Sequence, residues 1–168
     1  MKLYLFRHGI AEDRKLGKED HQRILTPAGI GKTEKIALKL KKLELKFDLI
    51  ITSPLIRAKQ TAQILQKHHL AQQIKEDSTL APQGDIQQWI KWLQKSDHSS
   101  KSQLLLVGHQ PDLGHWAEVL VWGESQEKII LKKAGIIGLE ILDQDQPIGN
   151  SEIFLLTSPK WLLTTIDS

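Results

Sequence analysis

Three short apolar runs in this chain stop abruptly at polar residues, and the second and third then meet a helix-start signal. Leu3 to Phe6 runs into Arg7-His8-Gly9, Asp48 to Thr52 into Ser53-Pro54, and Leu104 to Val107 into Gly108-His109-Gln110-Pro111. Runs this short read as buried strands, because a helix needs more length to bury a face. Glu12 to Arg23 is polar and reads as a loop. Thr26-Pro27 then supplies an N-cap and a proline at the first helical position, predicting a helix to about Leu45. Ser53-Pro54 repeats that signature for a helix to about His69, and Pro111 opens another reaching about Trp122. Between them, a weaker stretch around Ile74 precedes Gly84-Asp85 and a helix with Ile86, Trp89, Ile90 and Leu93 on one face. Ile136 to Leu142 and Ile153 to Leu156 read as closing strands around the turn-rich Asp143 to Asn150, and a last short helix begins at Ser158-Pro159.

That alternation predicts a three-layer α/β/α sandwich with a mostly parallel central sheet, in a single domain spanning residues 1–168. The closing strands follow one another without a helix, so one is expected to run antiparallel at an edge. Ligands of open α/β sheets bind beyond the carboxyl ends of the strands, which is where chemistry is to be sought.

With 40% apolar and 26% charged side chains over 168 residues, the composition is that of a soluble domain with a sizeable core. The absence of cysteine removes disulfides, zinc–thiolate sites and thiol nucleophiles, and agrees with a cytoplasmic protein. Four apolar residues before Arg7 are too few for a signal-peptide core or a membrane span, so no membrane partner is expected. The formal charge of +3 invites a nucleic-acid reading. However, Lys32, Lys35, Lys39, Lys42 and Lys46 recur at steps of three and four opposite Ile36, Leu40 and Leu43. This is the solvated face of an amphipathic helix, without the aromatics a base-stacking surface needs, and no nucleic acid is expected. No cluster has metal-ligand spacing, and the adjacent His68 and His69 would diverge on a helix; neither metal nor other cofactor is expected.

The three strand ends deliver Arg7, His8, Arg57 and His109 to one rim. Each alone is an ordinary loop or surface residue; together they suit phosphoryl transfer. Planar guanidinium forks match phosphate oxygens, and helix starts behind Pro54 and Pro111 add backbone donors. An imidazole kept unprotonated is nucleophilic, and Arg7 beside His8 favours that state. His109 can donate to phosphate oxygens as charge shifts in the transition state.

Arg7-His8-Gly9, Thr26-x-x-Gly29, Ser53-Pro-x-x-Arg57-Ala-x-Gln-Thr61 and Gly108-His109-x-Pro111, in this order, resemble the motif set of the histidine phosphatase superfamily. More narrowly, Arg23-Ile24-Leu25-Thr26, Leu80-Ala81-Pro82-Gln83-Gly84-Asp85 and Ser158-Pro159 are similar to the small SixA-type phosphohistidine phosphatases. The resemblance implies a phosphoglycerate mutase-like fold and His8 as phosphoryl acceptor. It also implies a phosphate pocket of Arg7, Arg57 and His109, joined by Gly9, Arg23 and the backbone N–H of Gln110. Many relatives carry a glutamate general acid in an inserted helical segment that has no clear counterpart here. Asp85 is the candidate, then Glu12 and Asp13; the other reading of Asp85 is the N-cap of the Trp89 helix.

Roughly forty-five residues separate Thr61 from Val107, enough for a strand and a helix but little lid. A shallow, open site favours a phosphohistidine-containing protein as substrate. Two other readings remain open: a broad phosphomonoesterase or mutase acting on small phosphate esters, and a non-catalytic phosphoprotein-binding module.

Overall fold

The protein is described by a computed structural model covering residues 1–14, 16 and 19–164. Its strands are β1 (Lys2–Arg7), β2 (Leu49–Thr52), β3 (Ile74–Glu76), β4 (Gln103–Gly108), β5 (Ile136–Ile141) and β6 (Ser151–Thr157). Its helices are α1 (Pro27–Lys42), α2 (Ile56–Lys67), α3 (Ile86–Gln94), α4 (Asp112–Trp122) and α5 (Pro159–Leu163). The strands form one sheet in the order β3-β2-β4-β1-β5-β6.

The period of two along each strand divides the core into two layers. On one face, Leu3, Leu5, Leu104 and Leu106 pack with Trp89, Ile90 and Leu93 of α3 and Leu113, Trp116 and Leu120 of α4. On the other, Tyr4, Phe6, Leu105 and Val107 pack with Ile36 and Leu40 of α1 and Ala58, Ala62 and Leu65 of α2. Burying each large aliphatic side chain contributes about 1.5–3 kcal/mol, so the central strands β1 and β4 dominate the stability of the sheet.

Three sequence expectations are corrected in detail. The antiparallel strand is β5, one place in from the edge, while β6 at the edge runs antiparallel to β5 and so with β1. The chain after α4 returns to the carboxyl end of β1, where Ala134 N–H donates to Arg7 O (3.0 Å), and β5 starts there and runs down. Helix α1 ends at Lys42, and Glu44 adopts a left-handed φ of 58°, so Leu43 is exposed rather than on the apolar face. Helix α2 begins at Ile56 with Leu55 as its cap residue, not at Ser53-Pro54. Ser53 Oγ accepts from Leu55 N–H (3.3 Å) and turns its other side to His109, so the expected cap is drawn into the site.

Candidate active site

Strands β1 and β4 are neighbours, with Arg7 opposite Gly108, and His8 N–H continues the pairing by donating to Gly108 O (3.0 Å). The residues after both strands therefore emerge side by side, and the rings of His8 and His109 lie 5.1 Å apart. Helix α2 brings Arg57 to the same place from its first turn. The turn after β1 is packed hard against α1. A Cβ on Gly9 would stand 2.5 Å from Thr33 Oγ1, and one on Gly29 only 1.9 Å from Ile10 O, so neither position tolerates a side chain. Gly9 N–H donates to Thr61 Oγ1 (3.0 Å), whose own hydroxyl donates to Arg57 O (2.7 Å). Gly9 is thus a packing residue whose donor is spent within the protein, which corrects its expected place among the phosphate donors.

The partners of His8 define its tautomer. Nδ1 lies 2.7 Å from Gly9 O, which can only accept, so Nδ1 carries the proton. Nε2 faces Arg57 Nε at 3.3 Å, which can only donate, so Nε2 offers a lone pair. His8 is 5% exposed. Burial first, then the neighbouring His109 and the two arginines, push its pKa down to about 2 against the opposing pull of Gly9 O. His109 is held at about 3 by burial and then by Arg57. Both imidazoles are neutral at physiological pH.

Two buried nitrogens in this cluster, Arg7 Nε and His109 Nδ1, have no hydrogen-bond partner among the described residues. His109 Nε2 pairs with Ser53 Oγ (2.8 Å), and Arg7 Nη1 donates to Leu131 O (2.8 Å). Buried polar atoms left without partners at the floor of a cleft are what an anion of several oxygens would satisfy. The cleft has a volume of about 350 Å³ and is lined by all four convergent residues together with Arg14, Arg23, Gln110 and Asp112. Two larger hollows, of about 560 and 890 Å³, hold none of the four.

Gln110 acts through its side chain as well as its position. Nε2 donates to Ile129 O (2.8 Å) and Oε1 accepts from Leu131 N–H (3.3 Å), bracing the segment whose carbonyl holds Arg7. Behind it, Glu118 is fully buried. Its carboxylate accepts from Ser125 Oγ and from the backbone N–H groups of Gln126, Glu127, Lys128 and Ile129, at 2.6–2.8 Å. Burial would raise its pKa, but these bonds outweigh it and hold the group at about 2.

Asp85 does not line the cleft. Its carboxylate accepts from Gln87 N–H (2.8 Å) and caps α3, so the general-acid expectation is corrected to the structural one. Glu12 Oε2 accepts from Ile24 N–H, and the exposed Asp13 is also off the cleft wall. The acid at the arginines is Asp20, which sequence reading passed over. Its carboxylate accepts from Arg57 Nη2 (2.8 Å), Arg23 Nη1 (2.7 Å) and Arg14 Nε (3.2 Å), and its backbone O from Arg57 Nη1 (2.7 Å). Partial burial pulls the Asp20 pKa up, but hydrogen bonds from Arg23 and Arg57 drive it well below the carboxylate range. The signal was an Asp three residues before Arg23. Glu118 had one too, as the lone acid among the apolar residues that follow the first turn of α4.

The sequence profile of the histidine phosphatase superfamily (branch 1) matches residues 3–84. The chain superposes on the protein histidine phosphatase SixA bound to tungstate with a TM-score of 0.83, at 25% identity over 96% of this chain and 99% of that one. This protein belongs to the histidine phosphatase superfamily. The same fold appears in a candidate phosphohistidine phosphatase SixA from Agrobacterium tumefaciens (TM-score 0.74, 21% identity, covering 94% of this chain and 97% of that one). It also appears in the phosphoserine phosphatase of Entamoeba histolytica bound to 3-phosphoglyceric acid (0.65, 21%, covering 97% and 99%). An uncharacterised protein of Picosynechococcus sp. is 47% identical over 164 residues, covering 97% of this chain and 99% of its own length. Among the described residues, no helix is long and apolar enough to cross a membrane.

Proposed function

We propose that this protein is a phosphohistidine phosphatase that removes the phosphoryl group from a histidine of a phosphoprotein through a covalent phospho-His8 intermediate. The carrying observation is His8 itself: a buried, neutral imidazole whose Nδ1–H is fixed by Gly9 O and whose Nε2 lone pair faces the arginine cluster. Nε2 attacks phosphorus; the P–N bond to His8 forms as the P–N bond to the substrate imidazole breaks, and that imidazole takes a proton from solvent. Water then attacks phospho-His8, returning the lone pair to Nε2 and releasing phosphate. Arg7, Arg57 and His109 hold the phosphoryl oxygens, with Arg23 and the Gln110 N–H at the rim.

The substrate class rests on two features. The chain between α2 and β4 is spent on β3, connecting turns and α3, which is packed on the sheet by Trp89, Ile90 and Leu93. A protein surface can therefore reach the cleft. Of the acids near the cleft, Asp85 caps a helix and Asp20 is held ionised, which leaves Asp112, whose Oδ2 already accepts from Gln83 N–H (3.2 Å). Expelling an imidazole needs far less protonation than expelling an alkoxide, and general acid catalysis is worth on the order of 10²–10⁴-fold where it operates.

Quenching in mid-turnover with a radiolabelled phosphohistidine protein is expected to leave acid-labile, alkali-stable label on His8, in EDTA as in buffer. Label on another residue, or faster turnover of phosphoserine peptides and small esters at equal concentration, overturns the assignment.

A further inference from the structure

We propose that Asp20 is an internal competitor for the phosphate site, a carboxylate held by the arginines that substrate phosphate must engage, and that it sets how tightly the enzyme holds phosphate. The inference rests on the reading of Arg57 as a phosphate clamp.

Arg57 has five N–H donors, and three are engaged: Nη1 with Asp20 O, Nη2 with Asp20 Oδ2, and Nε with His8 Nε2. The guanidinium that would grip a phosphoryl oxygen thus grips a carboxylate and covers the nucleophile's lone pair. Arg23 and Arg14 converge on the second carboxylate oxygen, so Asp20 receives the fork-to-oxygen bonding that a phosphate would receive. Three guanidinium groups meet one negative charge in this arrangement. A phosphoryl group carrying nearly two charges fits that field better, so exchange favours it. Exchange also removes Arg57 Nε from His8 Nε2, and entry of phosphate frees the nucleophile.

The loop is built to let go. Its stem is closed by the Ala11–Leu25 bridge, by Glu12 N–H to Ile24 O (3.0 Å) and by Arg23 Nε to Glu12 O (2.6 Å). Asp20 rides beyond that stem on a short 3-10 turn, Asp20–Gln22, with its side chain 32% exposed. Departure of its carboxylate leaves the stem bonds in place.

The test is binding of tungstate and of inorganic phosphate to the full chain, by calorimetry, in the wild type, Asp20→Asn and Asp20→Glu. Asn keeps the size and loses the charge. It is expected to tighten both anions by about tenfold or more, because the guanidinium donors that the carboxylate occupies become free for the anion. Product inhibition by phosphate deepens in parallel, while Asp20→Glu stays near the wild type. A residue that positions Arg57, donates a proton or merely stabilises the loop would give weaker or unchanged binding on removal, and either result overturns the proposal. Thermal melts confirm folding, and if Asn melts early, Asp20→Ser replaces it under the same criterion. If wild type and variants alike fail to bind either anion, the phosphate clamp itself is wrong; if all bind equally, only the competitor is.

Discussion

The two walls of the cleft are both fastened by carboxylates, but from opposite sides. The wall formed by residues 125–134 is held from behind, by Glu118, 0% exposed in the core, and by the side chain of Gln110. The wall that carries Asp20 is held from in front, by the arginines of the site itself. The first fastening is invisible to substrate and fixes Leu131 O, which orients Arg7. The second is made of the very groups a phosphate needs. One wall is therefore scaffold and the other is exchangeable, and a single kind of interaction serves both purposes because burial differs.

Breaking the scaffold wall should have the largest effect. Glu118→Leu leaves four backbone N–H groups and a hydroxyl facing an apolar side chain, each orphan costing about 1–3 kcal/mol if it stays buried. Partial relaxation towards water reduces the sum, and a loss of about 4 kcal/mol or more is expected in urea unfolding. Glu118→Gln should also destabilise, because its amide NH₂ meets N–H groups already pointing inward. A variant within 1 kcal/mol of wild type would mean that the 125–129 segment finds other partners.

Gln110→Leu is expected to separate bracing from bulk stability. It removes the bonds to Ile129 O and Leu131 N–H, costing about 1–2 kcal/mol, and loosens the carbonyl that holds Arg7 Nη1. Turnover should fall by roughly tenfold with a smaller change in KM, because Arg7 is needed most where charge develops. Full kcat in a destabilised variant would make Gln110 a brace with no bearing on Arg7.

These two walls also mark where the sequence was legible. The short apolar runs place β1, β2 and β4, and the residues just beyond their ends name His8, Arg57 and His109, because run length and strand terminus are local properties. The helix starting at Thr26-Pro27 is equally local, and its cap is as expected, with Thr26 Oγ1 accepting from Gly29 N–H (3.0 Å). What escaped depends on partners distant in the chain. Ser53 looks like a cap until His109, far along the sequence, claims its hydroxyl. Asp20 is one acid in a polar loop until α2 sets Arg57 beneath it. Asp85 offered both a cap and a catalytic reading, and only the position of the cleft separates them. Hydrogen bonds made across the fold leave no period in the sequence.

The smallest effect, and the sharpest test of the contrast, is in acid. Glu118 titrates at about 2 in the folded chain against an ordinary value of 4.5. A depressed carboxyl pKa means that the unfolded state binds the proton more readily, so stability rises with pH across that window. The contribution of Glu118 is fully present above about pH 4.5 and is lost as pH falls from there towards 2. Asp20 is depressed in the same sense, but its partly exposed side chain is screened by solvent, and exposed pairs are worth about 0–1 kcal/mol. Melting temperatures from pH 6 down to pH 3 should therefore fall in the wild type and fall nearly as far in Asp20→Asn. In Glu118→Gln, already less stable at neutral pH, the curve should be flatter, because the group that titrates is gone. The buried histidines push in the same direction as Glu118: both have lowered pKa values, must be neutral in the folded state, and lose their contribution as pH drops below the ordinary imidazole range. They are present in all three proteins, and because Asp20 favours the charged form of His109, its removal steepens rather than flattens the histidine part of the Asp20→Asn curve. A slope in Asp20→Asn as flat as that in Glu118→Gln would show that the exchangeable wall is as firmly anchored as the scaffold, and the distinction between the two would fall.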